Sequence, residues 1–170
     1  GRHPLPAAAS FAASMGALGI SHQDPVVAYD DSGGMSAGRL VWMLRLVGHN
    51  AALLDGGLNA WSTSLETEPQ SRHSVDHPTR DWPADLIADA DAAGLAGSSS
   101  QETLVDARSG DRFSGANEPI DPKGGHIPGA INLPFAENLD AEGFFLSAED
   151  LRSRFKTAGC ADGDSTVMYC

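Results

Sequence analysis

Two stretches of this chain, 140 residues apart, carry the same pattern, and that repeat constrains the fold more than any other feature. Asp24-Pro25-Val26-Val27-Ala28-Tyr29-Asp30 aligns with Asp164-Ser165-Thr166-Val167-Met168-Tyr169-Cys170. The register holds upstream without a gap: Phe11 falls on Leu151, Met15 on Phe155 and Gly19 on Gly159. Each copy reads as a helix, a glycine stop and a short apolar run. Matching all three at one offset points to a tandem repeat rather than to chance.

The elements around the repeat alternate in type. Pro6 to Gly19 carries Phe11, Met15 and Leu18 at helical spacing, with Gly19 as the stop. Val26 to Tyr29 is a continuous apolar run of the kind found in buried parallel strands. A Gly-rich turn, Asp30 to Ser36, leads into a predicted helix over Ala37–Val47, whose apolar face is Leu40, Val41, Leu44 and Val47. Ala51 to Asp55 reads as a second strand, and Gly56 to Trp61 as a tight turn. Further on, Thr103–Asp106 and Ala130–Leu133 read as strands. Ser147 to Phe155 reads as a helix opened by a Ser-Ala-Glu-Asp cap, and Thr166–Cys170 as a last strand. Strands and helices alternating at short spacing predict an α/β fold with a mainly parallel sheet.

The two copies expose different halves of a domain. The first shows the half after its central strand, from Asp31 to Trp61; the second shows the half before it, from Leu104 to Cys170. The expected organisation is therefore residues 1–61 as the later part of one domain, 62–83 as a linker, and 84–170 as the earlier part of a second. Both domains are expected to be incomplete, so the chain reads as an internal piece of a longer protein. The alternative is that the halves complement each other into one permuted domain. The linker assignment rests on a polar stretch containing Pro69, Pro78 and Pro83 and no repeating apolar pattern.

Charge excludes several partners. With 11 Lys+Arg against 23 Asp+Glu the formal net charge is −12, and the sequence pI is near 4.6. Such a surface argues against nucleic acid and anionic membranes as partners. No apolar run approaches the ~20 residues of a membrane span, and no charged-then-apolar leader opens the chain. A soluble, cytoplasmic protein is the expectation. Two cysteines, Cys160 and Cys170, build no disulfide framework, and no residue pattern sets an oligomeric state.

Cys170 is the candidate nucleophile. It stands at a strand end where the first copy has Asp30, and there the strand leads through a Gly/Ser turn into a helix N-terminus. A thiol at such a junction has its thiolate favoured by free N–H groups and the helix dipole. The competing reading is a core cysteine on a strand. Cys160, in the loop after Ala158-Gly159, reads as structural. Asp106 and Arg108, at the end of the Thr103–Asp106 strand, read as a structural pair that pins loops. Arg112 is a candidate for holding a small anion, because a guanidinium fork suits oxyanions. His126, before Ile-Pro-Gly, reads as a loop-ordering hydrogen-bonding group rather than a base. His73 and His77 lack a Cys/His framework for a metal, so no metal and no cofactor are expected.

Together these residues resemble a family. Leu104-Val105-Asp106-Ala107-Arg108, Arg112-Phe113-Ser114-Gly115, Glu118-Pro119, the run Gly125-His126-Ile127-Pro128-Gly129-Ala130-Ile131-Asn132-Leu133-Pro134 and Val167-Met168-Tyr169-Cys170 are similar to the C-terminal domain of tandem rhodanese-like sulfurtransferases. Val26 to Asp31, the helix with Arg39, Trp42 and Arg45, and Leu54-Asp55-Gly56-Gly57-Leu58-Asn59-Ala60-Trp61 resemble the end of their N-terminal domain. The resemblance implies two tandem domains, each a five-stranded parallel sheet flanked by helices. It further implies a cysteine, matched by Cys170, that accepts a sulfane sulfur from thiosulfate or 3-mercaptopyruvate as a persulfide and passes it to cyanide or a thiol. Asp30 fits an inactive first domain, and Arg112 matches the arginine that positions the anionic donor.

Ile120-Asp121-Pro122-Lys123 stands where mercaptopyruvate enzymes often carry a second arginine, which leans the resemblance towards thiosulfate. With Cys170 as a true terminus, its own carboxylate would disfavour the thiolate, and the chain alone would be inactive. Two rivals remain at this point: a non-catalytic rhodanese-like binding module and a cysteine-dependent phosphatase-like enzyme.

Overall fold

The computed structural model describes residues 3–160 and 165–170. Asp164, the first residue of the second repeat copy, lies outside them. The chain divides into two compact units, Gly1–Ile87 and Ala88–Cys170. Among the described residues no helix is long and apolar enough to cross a membrane.

The first unit is built on one strand–helix–strand crossover. Helix α1 (Ala8–Ala17) is followed by β1 (Val26–Ala28), α2 (Met35–Leu46) and β2 (Ala51–Leu53). β1 and β2 pair in parallel with Val26 opposite Ala51 and Ala28 opposite Leu53, as a helical crossover between parallel strands requires. The apolar stripe expected on the second helix does the packing. Val41, Leu44 and Val47 are buried with Phe11 and Met15 of α1 and with Ala28 and Ala51 of the strands. β1 itself is less enclosed than its apolar run suggested. It lies in a two-stranded sheet, and Val27 is 60% exposed because alternate side chains of a strand point to opposite faces.

The linker reading of 62–83 needs correction. From Val75 onward this segment is a strap packed on the first unit. The Val75 N–H donates to the Gly16 carbonyl at 3.0 Å, and Arg80 donates to the Val47 carbonyl at 3.1 Å. The indole N–H of Trp82 reaches the Pro6 carbonyl at 2.8 Å, and its ring lies 5.2 Å from that of Phe11. Gly16 permits the approach, since a Cβ there would stand 2.5 Å from the Val75 carbonyl oxygen. The strap has no apolar period because single, irregularly spaced residues anchor it.

A second correction concerns His77. Read alone in its segment it had no metal-ligand framework; in the fold it is buried against His22 and His49, which come from sequence-distant loops. Burial, with Arg80 nearby, holds the His22 imidazole below its ordinary pKa.

The second unit contains α3 (Ala90–Ala96), β3 (Glu102–Asp106), α4 (Gly110–Ser114), β4 (Ile131–Asn132), α5 (Ala148–Thr157) and β5 (Ser165–Tyr169). Its sheet has the order β4-β3-β5, parallel throughout, with Asp106 of β3 opposite both Asn132 and Tyr169. The central strand is the most enclosed: Leu104 and Val105 are each 1% exposed and Asp106 is fully buried. Ala93 and Ala96 of α3 pack on Leu104. The close approach of Gly97 to the Pro128–Gly129 turn, where Gly129 has φ +86°, leaves no space for a Cβ on either glycine.

The expected cap of α5 is formed. Ser147 accepts the Asp150 N–H at 3.1 Å, and Glu149 and Asp150 sit at the positive end of the helix while Arg154 and Lys156 sit at the negative end.

The offset of 140 carries into the local geometry. α1 and α5 span equivalent residues, 8–17 and 148–157. Each ends in a glycine of positive φ, Gly19 at +70° and Gly159 at +88°. Each stop is closed by the same backbone bond, from Ile20 to Met15 and from Cys160 to Phe155.

Candidate functional site

Parallel sheets present ligands at the carboxyl ends of their strands, and the candidate residues of the second unit gather there. The Ala107 N–H donates to the Tyr169 carbonyl and the Phe135 N–H to the Ala107 carbonyl. Pairing therefore continues to the residue before Arg108 on β3 and up to Cys170 on β5. Cys170 comes directly after Tyr169 and is exposed, with a free thiol. Cys160 is half-buried at the stop of α5.

Arg108 organises the floor of this edge. Its guanidinium takes both oxygens of the Asp106 carboxylate, donates to the Gly125 carbonyl at 2.7 Å and reaches Glu118 at 3.3 Å. It also lies 5.8 Å from the centroid of the Tyr169 ring. Burial alone would push the Asp106 carboxyl up; the bonds from Arg108 outweigh it and hold it below the usual carboxylate range. Burial pushes the Tyr169 phenol up, and that hydroxyl accepts the Ile127 N–H at 3.0 Å. Asp106 and Arg108 are thus the loop-pinning pair expected from the sequence.

Arg112 sits on α4, immediately beyond that edge. Its Nε donates to both Glu118 oxygens, at 3.1 and 3.0 Å, and its Nη2 donates to Asp121 at 2.8 Å. Glu118 is thereby shared between two arginines. Arg112 and the backbone N–H of Asp121 hold the Glu118 carboxyl at about 2. Sequence reasoning gave Glu118 no role; its signal was an acid six residues after Arg112 in the same polar loop. His126 also behaves as expected. Its Nδ1 lies 2.8 Å from the Phe113 carbonyl, and its ring stacks on that of Phe113 at 3.7 Å.

The first unit shows what a strand end of this kind can hold. At Asp30, the position matched by Cys170, the chain turns through Gly33 and Gly34, both of positive φ, into α2. One carboxylate oxygen of Asp30 accepts the N–H groups of Ser32 and Gly34, at 3.0 and 2.8 Å. The other accepts those of Ser36 and Ala37, both at 2.9 Å. The Ala37 bond leads in holding the Asp30 carboxyl at about 2, against burial. Four converging amides at a helix N-terminus form an anion cradle, and here the side chain that precedes it fills it.

Comparison with known proteins gives this geometry a family. Residues 2–64 match the family model described as a Rhodanese-like domain. The "Putative thiosulfate sulfurtransferase SseB" of Mycobacterium tuberculosis is 40% identical over 178 residues, covering 100% of this chain and 61% of that protein. The "Probable 3-mercaptopyruvate sulfurtransferase" of Pseudomonas aeruginosa is 39% identical, covering 100% of this chain and 62% of that protein. The crystal structure of SseA from Escherichia coli, described among 3-mercaptopyruvate sulfotransferases of the "Rhodanese" fold, superposes with a TM-score of 0.81 at 27% identity. It covers 98% of this chain and 63% of that one.

The chain is similar to the rhodanese-like family, residues 2–64 through the family model and the whole length through its relatives. Its relatives along the whole length carry the names of thiosulfate and 3-mercaptopyruvate sulfurtransferases, and it spans about three fifths of their length.

Proposed function

We propose that the protein is a sulfurtransferase with two tandem rhodanese-like domains, in which Cys170 carries the transferred sulfur. The observation that carries the reading is the match of Cys170 to Asp30. One strand end presents a thiol where the other presents an acid enclosed by four amides. The names of the relatives supply the reaction class.

In the first step the Cys170 thiolate attacks the outer sulfur of thiosulfate. A new S–S bond forms, the old one breaks, and sulfite leaves with the bonding pair. With 3-mercaptopyruvate the same attack breaks the C–S bond, and the carbon takes a proton to give pyruvate. In the second step cyanide or a thiolate attacks the outer sulfur of the persulfide and restores the Cys170 thiolate. The donor oxidises Cys170 to the persulfide and the acceptor restores the thiolate, so the full cycle requires no net redox change of the protein and no metal. Sulfur transfer of this kind depends on a stabilised thiolate and on amides that meet the persulfide's charge.

Arg112 is the donor-binding group in this reading. Its Nη2 faces Asp121, whose side chain is 42% exposed, so an incoming sulfonate or carboxylate exchanges with an accessible partner rather than with the enclosed Glu118. Since the chain's net charge of −12 opposes long-range attraction of an anionic donor, capture is local.

The test is cyanide-dependent thiocyanate formation by the full-length protein, not by these 170 residues alone, with each donor in turn. Activity with at least one donor that disappears in Cys170→Ser supports the reading. A Cys170→Ser protein that retains full turnover removes the persulfide step, and a wild-type protein inert towards both donors leaves the binding-module reading in its place.

A further inference from the structure

Three imidazoles meet in the first unit, away from the strand ends. His22 lies in the loop before β1, His49 in the turn between α2 and β2, and His77 in the strap. Each offers one ring nitrogen within 4.8 Å of the others. Ring centroids are 5.4 Å apart for His22 and His49, 6.0 Å for His22 and His77, and 5.7 Å for His49 and His77. His49 and His77 are 3% and 7% exposed.

Their hydrogen bonding is unusual for buried groups. His22 Nδ1, His49 Nδ1 and both ring nitrogens of His77 are buried without a protein partner. Buried polar atoms are nearly always satisfied, and a cluster that is not calls for an occupant. Chemistry orients at least one of these nitrogens. His49 Nε2 lies 2.7 Å from the Asp24 carbonyl oxygen, which can only accept, so Nε2 carries a proton. In the neutral ring Nδ1 is then a lone pair, and it is among the unpartnered atoms. An imidazole that donates one N–H to a backbone carbonyl and presents its other nitrogen is the arrangement that orients metal-ligating histidines.

We propose that His22, His49 and His77 form a binding site for one divalent transition-metal ion of the zinc class. Three neutral imidazoles suit such an ion, and three protein ligands leave a fourth position for water. Tetrahedral binding at ~2.0–2.1 Å sets donor nitrogens ~3.4 Å apart, so ring rotations that close the cluster by at most about 1.5 Å complete the site. The nearby fixed charges oppose one another, with Arg80 towards His22 and Asp24 towards His49. The ion ties the strap to the two loops that flank β1 and β2, and the burial of two ligands makes it a structural staple rather than a hydrolytic centre.

The experiment uses tag-free, chelator-stripped protein titrated with Co2+ alone and then with Zn2+ alone. The expected result is a visible Co2+ absorption that saturates at one equivalent and is displaced by Zn2+. Zn2+ at a hundredfold excess over Kd raises the melting temperature by about 5–10 °C. His77→Gln abolishes both effects, whereas His73→Ala, at an exposed position just before the strap, keeps both. Should His77→Gln unfold, His22→Gln at the half-exposed side of the cluster replaces it. No visible band in the wild-type protein overturns the proposal and leaves a bridging water as the occupant. Retention of full affinity in the folded histidine variant overturns it as well, because the ion is then bound elsewhere.

Discussion

Arg108 clasps the fully buried carboxylate of Asp106 from only two residues further along the chain, with bonds from Nε to both oxygens at 3.0 and 3.1 Å. The short loop this closes is what places Arg112 and α4 beyond the strand end. Removing one member of a buried pair leaves an uncompensated charge, which costs about 3–5 kcal/mol. Asp106→Ala is therefore expected to lower the stability of the second unit by that amount in urea unfolding, with Asp106→Asn intermediate.

Asp30→Ala strips one acceptor from four backbone amides at once. Unsatisfied amides at a helix start cost about 1–3 kcal/mol in total where water reaches some of them. Asp30→Asn keeps one oxygen and is expected to recover part of the loss. Thermal melts of the three proteins check the order: wild type, then Asn, then Ala.

Acid sensitivity arises in part from the two carboxyls held at about 2. Asp30 and Glu118 each titrate at about 2 in the fold, below their ordinary values of 3.8 and 4.5. A depressed folded pKa gives stability that is complete above the unfolded value and lost as pH falls towards the folded one. Stability is thus expected to be flat above about pH 5 and to fall between pH 4.5 and 2. Melting temperatures of wild type and of Glu118→Gln across that range check it; the variant should lose less on acidification.

Arg112→Ala is expected to raise KM for the sulfur donor by about tenfold or more while changing kcat less, since binding is the role proposed for it. Arg112→Lys, which keeps charge but not the fork, should fall between. Equal losses in kcat alone would move Arg112 from donor binding to a purely structural role.

Gly16→Ala is expected to destabilise the first unit by about 1–3 kcal/mol, as overpacking does, because the new Cβ meets the Val75 carbonyl. The diagnostic is location: Trp82 emission should shift to the red as the strap lifts, while the second unit's urea transition stays in place.

What the sequence made legible is what periodicity and close spacing encode. The face of α2, the Ser147 cap and the Asp106–Arg108 pair could be read because each lies within a few residues or repeats at a helical interval. The strap could not, since Val75, His77, Arg80 and Trp82 anchor it one at a time among polar neighbours. α3 escaped notice because Ala90–Ala96 is mostly alanine, with one aspartate, one glycine and a single leucine, so no apolar stripe marks it. The histidine cluster was invisible for a related reason. Its members are separated by 27 and 28 residues and converge only once β1, β2 and the strap are in place.

A carboxylate tethered to the strand that feeds its own binding loop, as Asp30 is, has an effective concentration at those amides far above that of any free anion. In the fold the four amides at this strand end are occupied by the chain's own carboxylate. A single side chain at this strand end thus decides whether its amides receive ligand from solution or from the chain.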